Sequence, residues 1–568
     1  MSSTYAHYQG PASLPSSYAI LSRFSNPQDS DQPNSIDDSN PNFSHSLPRP
    51  HRPVMGAYPH TDKAPRHNET TPLLLAQEPP VPLIEEQVDR DASHDNDSML
   101  TMFREEVVIL TKYALPVFGS QLLEYSLVIS SVISIGHLST TALAAISLGS
   151  MTASVTAFSV IQGFASALDT MLPSAWTSSQ PQLVGLWSQR MTVVMTVALI
   201  PMLLIWFNAE AILVFLKQDP AVAHLAALYL RWVSIGLPAY AFNCISRRYF
   251  QSQGLFAVPT RIIFVVAPIN VVLNYLLVWG PSAIRLGFIG APIATAISFN
   301  LVSLASICYG VFFVPRTAWY PLSRRMFTSL GVLAQLGLSG VGQTASEWWA
   351  WELITLAASL VGPVALATQS VLLVSASTTF QAPFSLGIAT SVRIGNLLGE
   401  QKARRAGAAA NTSIIMALMI AAFTSSLFTI FRNSWAYLFN NDPEVVALVG
   451  SILPLVALFQ VVDGNAAVTA GILRARGKQF TGALLNLSSY YIIGIPFGVW
   501  LAFSCELGLH GLWLGLTVSL VYCSVLGTWL CLRTDWNREV RKVLERLRVD
   551  GGKVCHEREG DTRTTTTG

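Results

Sequence analysis

The sequence predicts an all-α integral membrane protein. It places twelve transmembrane helices in two six-helix lobes related by a pseudo-twofold axis. Three observations carry this: composition, a recurring segment length and an internal duplication. The 568 residues are 51% hydrophobic and only 12% charged, with mean hydropathy +0.44. A soluble domain has roughly twice that charged share, about 25%. From Val107 onward, apolar stretches recur at the length of about 20 residues that crosses the hydrocarbon of a bilayer. Finally, Asp219-Pro220 returns as Asp442-Pro443, Gln253-Gly254 aligns with Arg476-Gly477, and Gly287-x-x-Gly290 returns as Gly508-x-x-Gly511, at offsets of 223, 223 and 221 residues. Two halves of the same orientation imply an axis along the membrane normal and a cavity between the lobes.

In chain order, residues 1–100 are rich in Ser, Pro, Asn and Asp and read as a disordered tail. The expected N-lobe is 101–315, the inter-lobe linker 316–327, the C-lobe 328–535 and the second tail 536–568. The twelve spans are expected near 107–135, 142–170, 190–207, 223–246, 259–280, 287–314, 328–360, 364–392, 406–431, 445–473, 480–503 and 509–532. Met1 to Gly10 lacks the apolar core of a cleavable signal. With the N-terminus cytosolic, fourteen Lys and Arg residues fall on inner loops and span edges, among them Arg190, Arg247, Arg248, Arg393 and Arg474. Three, Lys217, Arg285 and Arg432, fall outside. That bias puts both termini in the cytosol. Within the first tail, Glu69-Thr70-Thr71-Pro72-Leu73-Leu74 resembles an acidic dileucine sorting signal, so a sorting adaptor at Glu69, Leu73 and Leu74 is an expected partner. Vacuolar and plasma membranes both remain open as locations, and a monomer is expected.

The six cysteines form no CxxC or Cys/His cluster, which leaves no zinc or other metal site. Net charge is +2, without the basic face that nucleic acid requires. No phosphate loop is present: Gly471 to Gln479 has five residues between its glycines and lacks Ser or Thr after Lys478. No nucleophile–base constellation points to an enzyme. Transport is therefore expected to be secondary, driven by a gradient and not by a bound cofactor.

Five acids fall within expected spans: Glu124, Asp169, Glu347, Glu352 and Asp463. A carboxylate at bilayer depth costs on the order of 3 kcal/mol, so each is a candidate site. Glu347 and Glu352, in Glu-Trp-Trp-Ala-Trp-Glu, lie about 140° apart around a helix. Either they line different walls of a wide cavity, or Gly337, Gly340 and Gly342 let the helix bend. A buried Glu can hold a proton and release it to an arriving cation, which suffices for antiport. Trp348 and Trp349 can offer aromatic faces to an organic cation. Asp463 and Asn465 add polar groups to helix ten. Adding 222 to Glu124 gives Ser346, next to Glu347, which makes Glu124 an N-lobe candidate for the same cavity. Asp169, near the inner end of helix two, reads as a cap or a gate contact.

Family-like stretches complete this reading: Gly136-His137-Leu138, Ala167 to Thr170, Arg248-Tyr-Phe-Gln251-Ser-Gln253, Glu347-Trp348-Trp349 with Glu352, Ser391-Val392-Arg393 with Asn396 to Gly399, and Gly508 to Gly515. On these the chain, over about 105–535, resembles the multidrug and toxic compound extrusion (MATE) family in its eukaryotic, fungal-like branch. The resemblance implies extrusion of amphiphilic or cationic compounds in exchange for protons, with sodium less expected, and acids at Glu347, Glu352 and Asp463. It also marks Arg248 and Gln251 as gate or structural residues. The chain departs from the family at Leu172 to Ala175, and at Val374, where animal members carry a Glu. Ser130 and Ser131 stand where bacterial sodium-type members carry an Asp. The competing readings are a lipid or lipid-linked flippase, whose cavity should carry basic head-group ligands, and a passive channel or transport-dead receptor.

Overall fold

The computed structural model describes residues 98–136, 138–439 and 442–548; the dileucine stretch and most of the two tails lie outside the described residues. The spans are α1 (Met99–Gly136), α2 (Thr141–Trp176), α3 (Leu183–Phe207), α4 (Pro220–Ser252), α5 (Ala257–Trp279), α6 (Gly287–Phe312), α7 (Leu330–Val361), α8 (Pro363–Gly399), α9 (Ala403–Ile430), α10 (Pro443–Ala475), α11 (Gln479–Ser504) and α12 (Gly508–Leu532). Ten are long and apolar enough to cross a membrane. The other two, α1 and α7, run for 38 and 32 residues and carry acids along their length.

The repeated motifs are helix punctuation. Asp219 accepts hydrogen bonds from the backbone N–H groups of Ala221 and Val222, with Pro220 opening α4; Asp442 accepts one from Glu444, with Pro443 opening α10. An acidic N-cap followed by proline satisfies donors that the first turn otherwise leaves orphaned. The glycines after α4 and α10, Gly254 and Gly477, have φ of 78° and 70°. That left-handed backbone ends each helix at little cost only in glycine.

Two large hydrophobic clusters define the lobes, and the first helix of each half crosses between them. Leu333, Leu336 and Trp348 of α7 pack into the N-lobe cluster. Ala350, Trp351, Ile354 and Ala358 of the same helix pack into the C-lobe cluster. The start of α1 does the reverse: Ile109, Leu110, Tyr113 and Val117 pack against Leu386, Val392 and Leu397 of α8. Gly337 and Gly340 serve this crossing and are not a bend, while Gly342 faces open space. A Cβ at Gly340 would stand 2.2 Å from the Gly163 carbonyl oxygen of α2, and α7 is one continuous α-helix.

The lobes meet on the side where the described chain begins and ends, here the terminal face. Thr170 donates to the Arg474 carbonyl at 2.6 Å, Thr177 to the Asn396 carbonyl at 2.8 Å, and Gln479 Nε2 to the Ser166 carbonyl at 3.3 Å. A last helix, α13 (536–548), lies on this seam. Its Val540 and Val543 are buried, and Leu547 packs against the clusters of both lobes. The molecule is thus closed at the terminal face.

Within the C-lobe, α11 and α12 approach to backbone contact: a Cβ on Gly515 would lie 2.4 Å from the Gly498 Cα. Gly515→Val is expected to cost about 1–3 kcal/mol by wedging these helices apart. A lower melting midpoint in detergent would register it, and an unchanged midpoint would show that the contact is not fixed.

Candidate functional site

Helical register assigns the two acids of α7 to different sides. Glu347 shares its stripe with Gln343, Trp351 and Ile354, and the last two pack in the C-lobe cluster. Glu352 shares its stripe with Trp348, which packs in the N-lobe cluster. Residues three and four apart face the same way along a helix. Glu347 therefore looks into the C-lobe and is 1% exposed. Glu352 lies one turn beyond Trp348 and is half-buried.

Two irregular turns grip α7 at this level. Both α2 (Ser154–Phe158) and α11 (Ser488–Gly494) contain π-helical segments, a distortion common at functional sites. Trp349 Nε1 donates to the Val155 carbonyl at 3.3 Å, and the Tyr491 hydroxyl donates to the Ser346 carbonyl at 2.9 Å. Trp349 is otherwise 45% exposed, whereas Trp348 is a packed core residue.

One turn along α7 from Glu347, Gln343 lines a narrow C-lobe pocket with Ala466, Thr469 and Ala470 of α10, Asn486 of α11 and Cys523 of α12; Glu347 and Asp463 are not among its lining residues. No basic side chain lines it. Cys523 lies within electrostatic range of both Glu347 and Asp463. Asp463 is 6% exposed. Asn465, one position past Gly464, is tied down. Its Nδ2 donates to Ser524 Oγ and Thr528 Oγ1, both at 2.7 Å, fixing α10 on α12.

The N-lobe holds an equally narrow pocket built largely from the same positions. Asn243, Ser246, Arg247 and Phe250 of α4 line it; 223 residues on, Ala466, Thr469, Ala470 and Leu473 of α10 line the other. Ser120 corresponds to Gln343 and Pro259 to Gly482 at the same offset, and Ser306 to Gly527 at 221. At 223, Glu124 corresponds to Glu347 itself. Glu124 lines its pocket in an ion pair with Arg247, whose Nη1 also donates to Gln121 at 3.1 Å. The C-lobe has Ala470 in place of that arginine. Tyr240, within electrostatic range of Glu124 and Arg247, stands at the position of Asp463.

Asp169 and Arg248 lie at the closed seam. Arg248 Nε donates to Asp169 Oδ1 at 2.9 Å, and Nη2 to Gln162 Oε1 at 3.3 Å. The other carboxylate oxygen of Asp169 faces Arg474 of α10 across the lobe boundary at 3.8 Å. Gln251 is buried at the end of α4. Leu172 to Ala175 are buried in the same seam, and a Cβ on Gly395 of α8 would stand 2.8 Å from Pro173. Sequence reasoning counted Arg247 with loop cations and passed over Tyr491.

The MatE family model matches this chain twice, over residues 116–276 and 341–500, which restates the duplication independently of the motifs. A Schizosaccharomyces pombe protein described as an uncharacterized transporter is 38% identical over 436 residues, 77% of this chain and 81% of that one. Multidrug and toxin extrusion protein 2 of Mus musculus is 34% identical over 79% of this chain and 77% of its own. Among solved structures, the eukaryotic MATE transporter AtDTX14 superposes with TM-score 0.74 at 30% identity, over 78% of this chain and all of that one. With two matched repeats, relatives across eukaryotes and a shared fold, the chain belongs to the MATE family of multi-pass membrane transporters and is not an enzyme.

Proposed function

We propose that this protein is a proton-coupled antiporter that extrudes amphiphilic organic cations by alternating access of its lobes. One observation carries the reading: Glu347, almost fully buried on the C-lobe side of α7, and buried Asp463 both lie within electrostatic range of Cys523, which lines a C-lobe pocket. Burial favours the protonated form of a carboxylate, and an arriving cation favours the ionised one. Proton and cation therefore compete for the same charge. Protonation of Glu347 or Asp463 releases the cation to the far face, and the next cation, entering from the terminal face, displaces the proton. Glu352, half-buried on the other side of α7, is a second acid for the cycle, and the exposed ring of Trp349 is an aromatic surface that a cation can use. A flippase for anionic lipid heads would need basic lining where this cavity has none.

The basic bias of the terminal face makes that face cytosolic, so export runs to the cell exterior or the vacuolar lumen. The Glu69–Leu74 motif, read by a sorting adaptor, favours the vacuole. The cycle needs only one copy of the chain.

The test is uptake of a fluorescent organic cation into proteoliposomes with an imposed pH gradient. Glu347→Gln is expected to reduce gradient-driven uptake at least tenfold while the protein elutes and melts as wild type. Uptake by the mutant at the wild-type rate would remove the mechanism. A wild-type rate indifferent to pH but driven by sodium would replace the proton.

A further inference from the structure

We infer that α13 is a latch on the terminal face: its start is anchored on the C-lobe and its last turn grips the N-lobe, which holds that face closed. The inference concerns the opening of the seam and stands whichever ion drives transport. Trp536, Val540, Val543, Leu544 and Leu547 share one face of the helix and turn inward, the stripe of a helix that lies on a surface. Arg538, Arg541 and Arg548 face out. Three contacts build the anchor. Trp536 stands against α9, where a Cβ on Gly407 would come within 3.0 Å of its ring, and the Arg476 guanidinium lies 5.8 Å from the ring centre. Glu539 is 3% exposed and pairs with Arg476 at 3.5 Å, Lys478 at 3.9 Å and Lys542 at 3.3 Å. Val540 and Val543 are buried in the cluster of α1, α8, α9 and α10.

The tip differs from the anchor. Leu547 packs against both that cluster and the N-lobe cluster. Arg546, one residue earlier, reaches Gly477 at the end of α10, where a Cβ would stand 3.0 Å from its guanidinium and 3.4 Å from the Thr170 methyl group of the N-lobe. The last turn of α13 therefore lies beside the bond that Thr170 makes across the seam to the Arg474 carbonyl. Opening the terminal face carries Thr170 away from Arg474, and a helix anchored on one lobe cannot follow both. Its buried charge and its two buried valines keep α13 on the C-lobe, so Leu547 loses the N-lobe side of its contact to water. Apolar burial present in one conformation and absent from the other shifts the equilibrium toward the first. The latch thus sets how much of the protein is closed at this face, from outside the spans that carry Glu347 and Glu352.

The experiment places Ser174→Cys in the buried seam of the full chain, in lipid nanodiscs, and follows its labelling by a water-soluble thiol reagent, site by site, by mass spectrometry. Native Cys244, buried inside the N-lobe, is the control. Adding Leu547→Ala is expected to raise the rate at position 174 about fivefold, the share of one partly buried leucine contact. Leu547→Met keeps an apolar tip of similar volume and should leave the parent rate unchanged. Glu539→Gln loosens the anchor and is expected to raise the rate as well. Cys244 should stay as protected as in the parent, because the lobe itself does not open. Parent rates in both Leu547→Ala and Glu539→Gln would overturn the inference. So would a parallel rise at Cys244, because α13 would then brace the fold of the N-lobe and not the closed state.

Discussion

Glu106→Ala is expected to cost about 3–5 kcal/mol of stability, the usual penalty for stripping the partner from a buried charge. Glu106 and Arg393 are both 0% exposed, and their contact is bidentate, with Arg393 Nε and Nη2 at 2.9 and 2.7 Å from the carboxylate. Arg405 adds a 2.8 Å bond to the same carboxylate and a 2.7 Å bond to Glu105. The pair joins α1 to α8 and α9, where the start of α1 has crossed onto the C-lobe. Losing the anion leaves a guanidinium in the protein interior that cannot be deprotonated. A fall of several degrees in the melting midpoint, with poor recovery from detergent extraction, is the expected reading. The double variant Glu106→Leu with Arg393→Met removes both charges and should recover most of the loss, since well-packed apolar replacements of buried pairs are often neutral. A single variant that melts as wild type would show that water reaches Arg393.

This cluster also marks where the sequence ceases to be legible. All twelve helices were readable, because an apolar run of membrane length has few alternatives. Glu347 was readable for the same reason: an acid inside such a run stands out. Glu106 did not, because it sits one residue before the run expected to start at Val107, among polar neighbours. Arg247 was misplaced by a boundary. The fourth span was expected to stop at 246, whereas α4 continues to Ser252 and carries Arg247 and Arg248 into the protein. A charge count cannot distinguish a loop arginine from one a turn inside a helix. The equivalence of Glu124 with Glu347 was missed by one residue. The offset is 223 for the motifs on the first, fourth and fifth helices of each half and 221 in the sixth, because the stretch from the start of α5 to the start of α6 is longer than its counterpart from α11 to α12. An averaged offset of 222 matches neither. The glycines of α7 show a further limit: Gly337 and Gly340 look like hinge residues until the opposing surface is seen to be Phe164 and the backbone of Gly163.

Asp169→Asn is expected to open the terminal face. Asp169 belongs to α2 of the N-lobe, and its two oxygens face Arg248 at 2.9 Å and Arg474 of the C-lobe at 3.8 Å. Arg474 is 1% exposed at its side chain, and among the described residues no hydrogen-bond partner reaches its guanidinium nitrogens. Its burial therefore depends on the charge of Asp169. That dependence exists only while the lobes are closed here, because separation hydrates Arg474. Removing the charge thus penalises the closed state selectively. A penalty of about 3 kcal/mol for the uncompensated cation corresponds to about a 100-fold shift in population. A cysteine introduced at Ser174 reports the change. Ser174 is 8% exposed, and its carbonyl oxygen lies where a Cβ on Gly399 would come within 2.6 Å. Labelling of that cysteine by a membrane-impermeant thiol reagent, above the background from exposed Cys308 and Cys505, is expected to be slow in the parent and at least tenfold faster with Asp169→Asn. Cation uptake should fall in the same variant, because a seam that does not reclose cannot complete the cycle. Equal labelling in both proteins would assign the seal to the apolar contact of Gly163 with Gly340. In that case the ion triad would order the seam without setting its equilibrium.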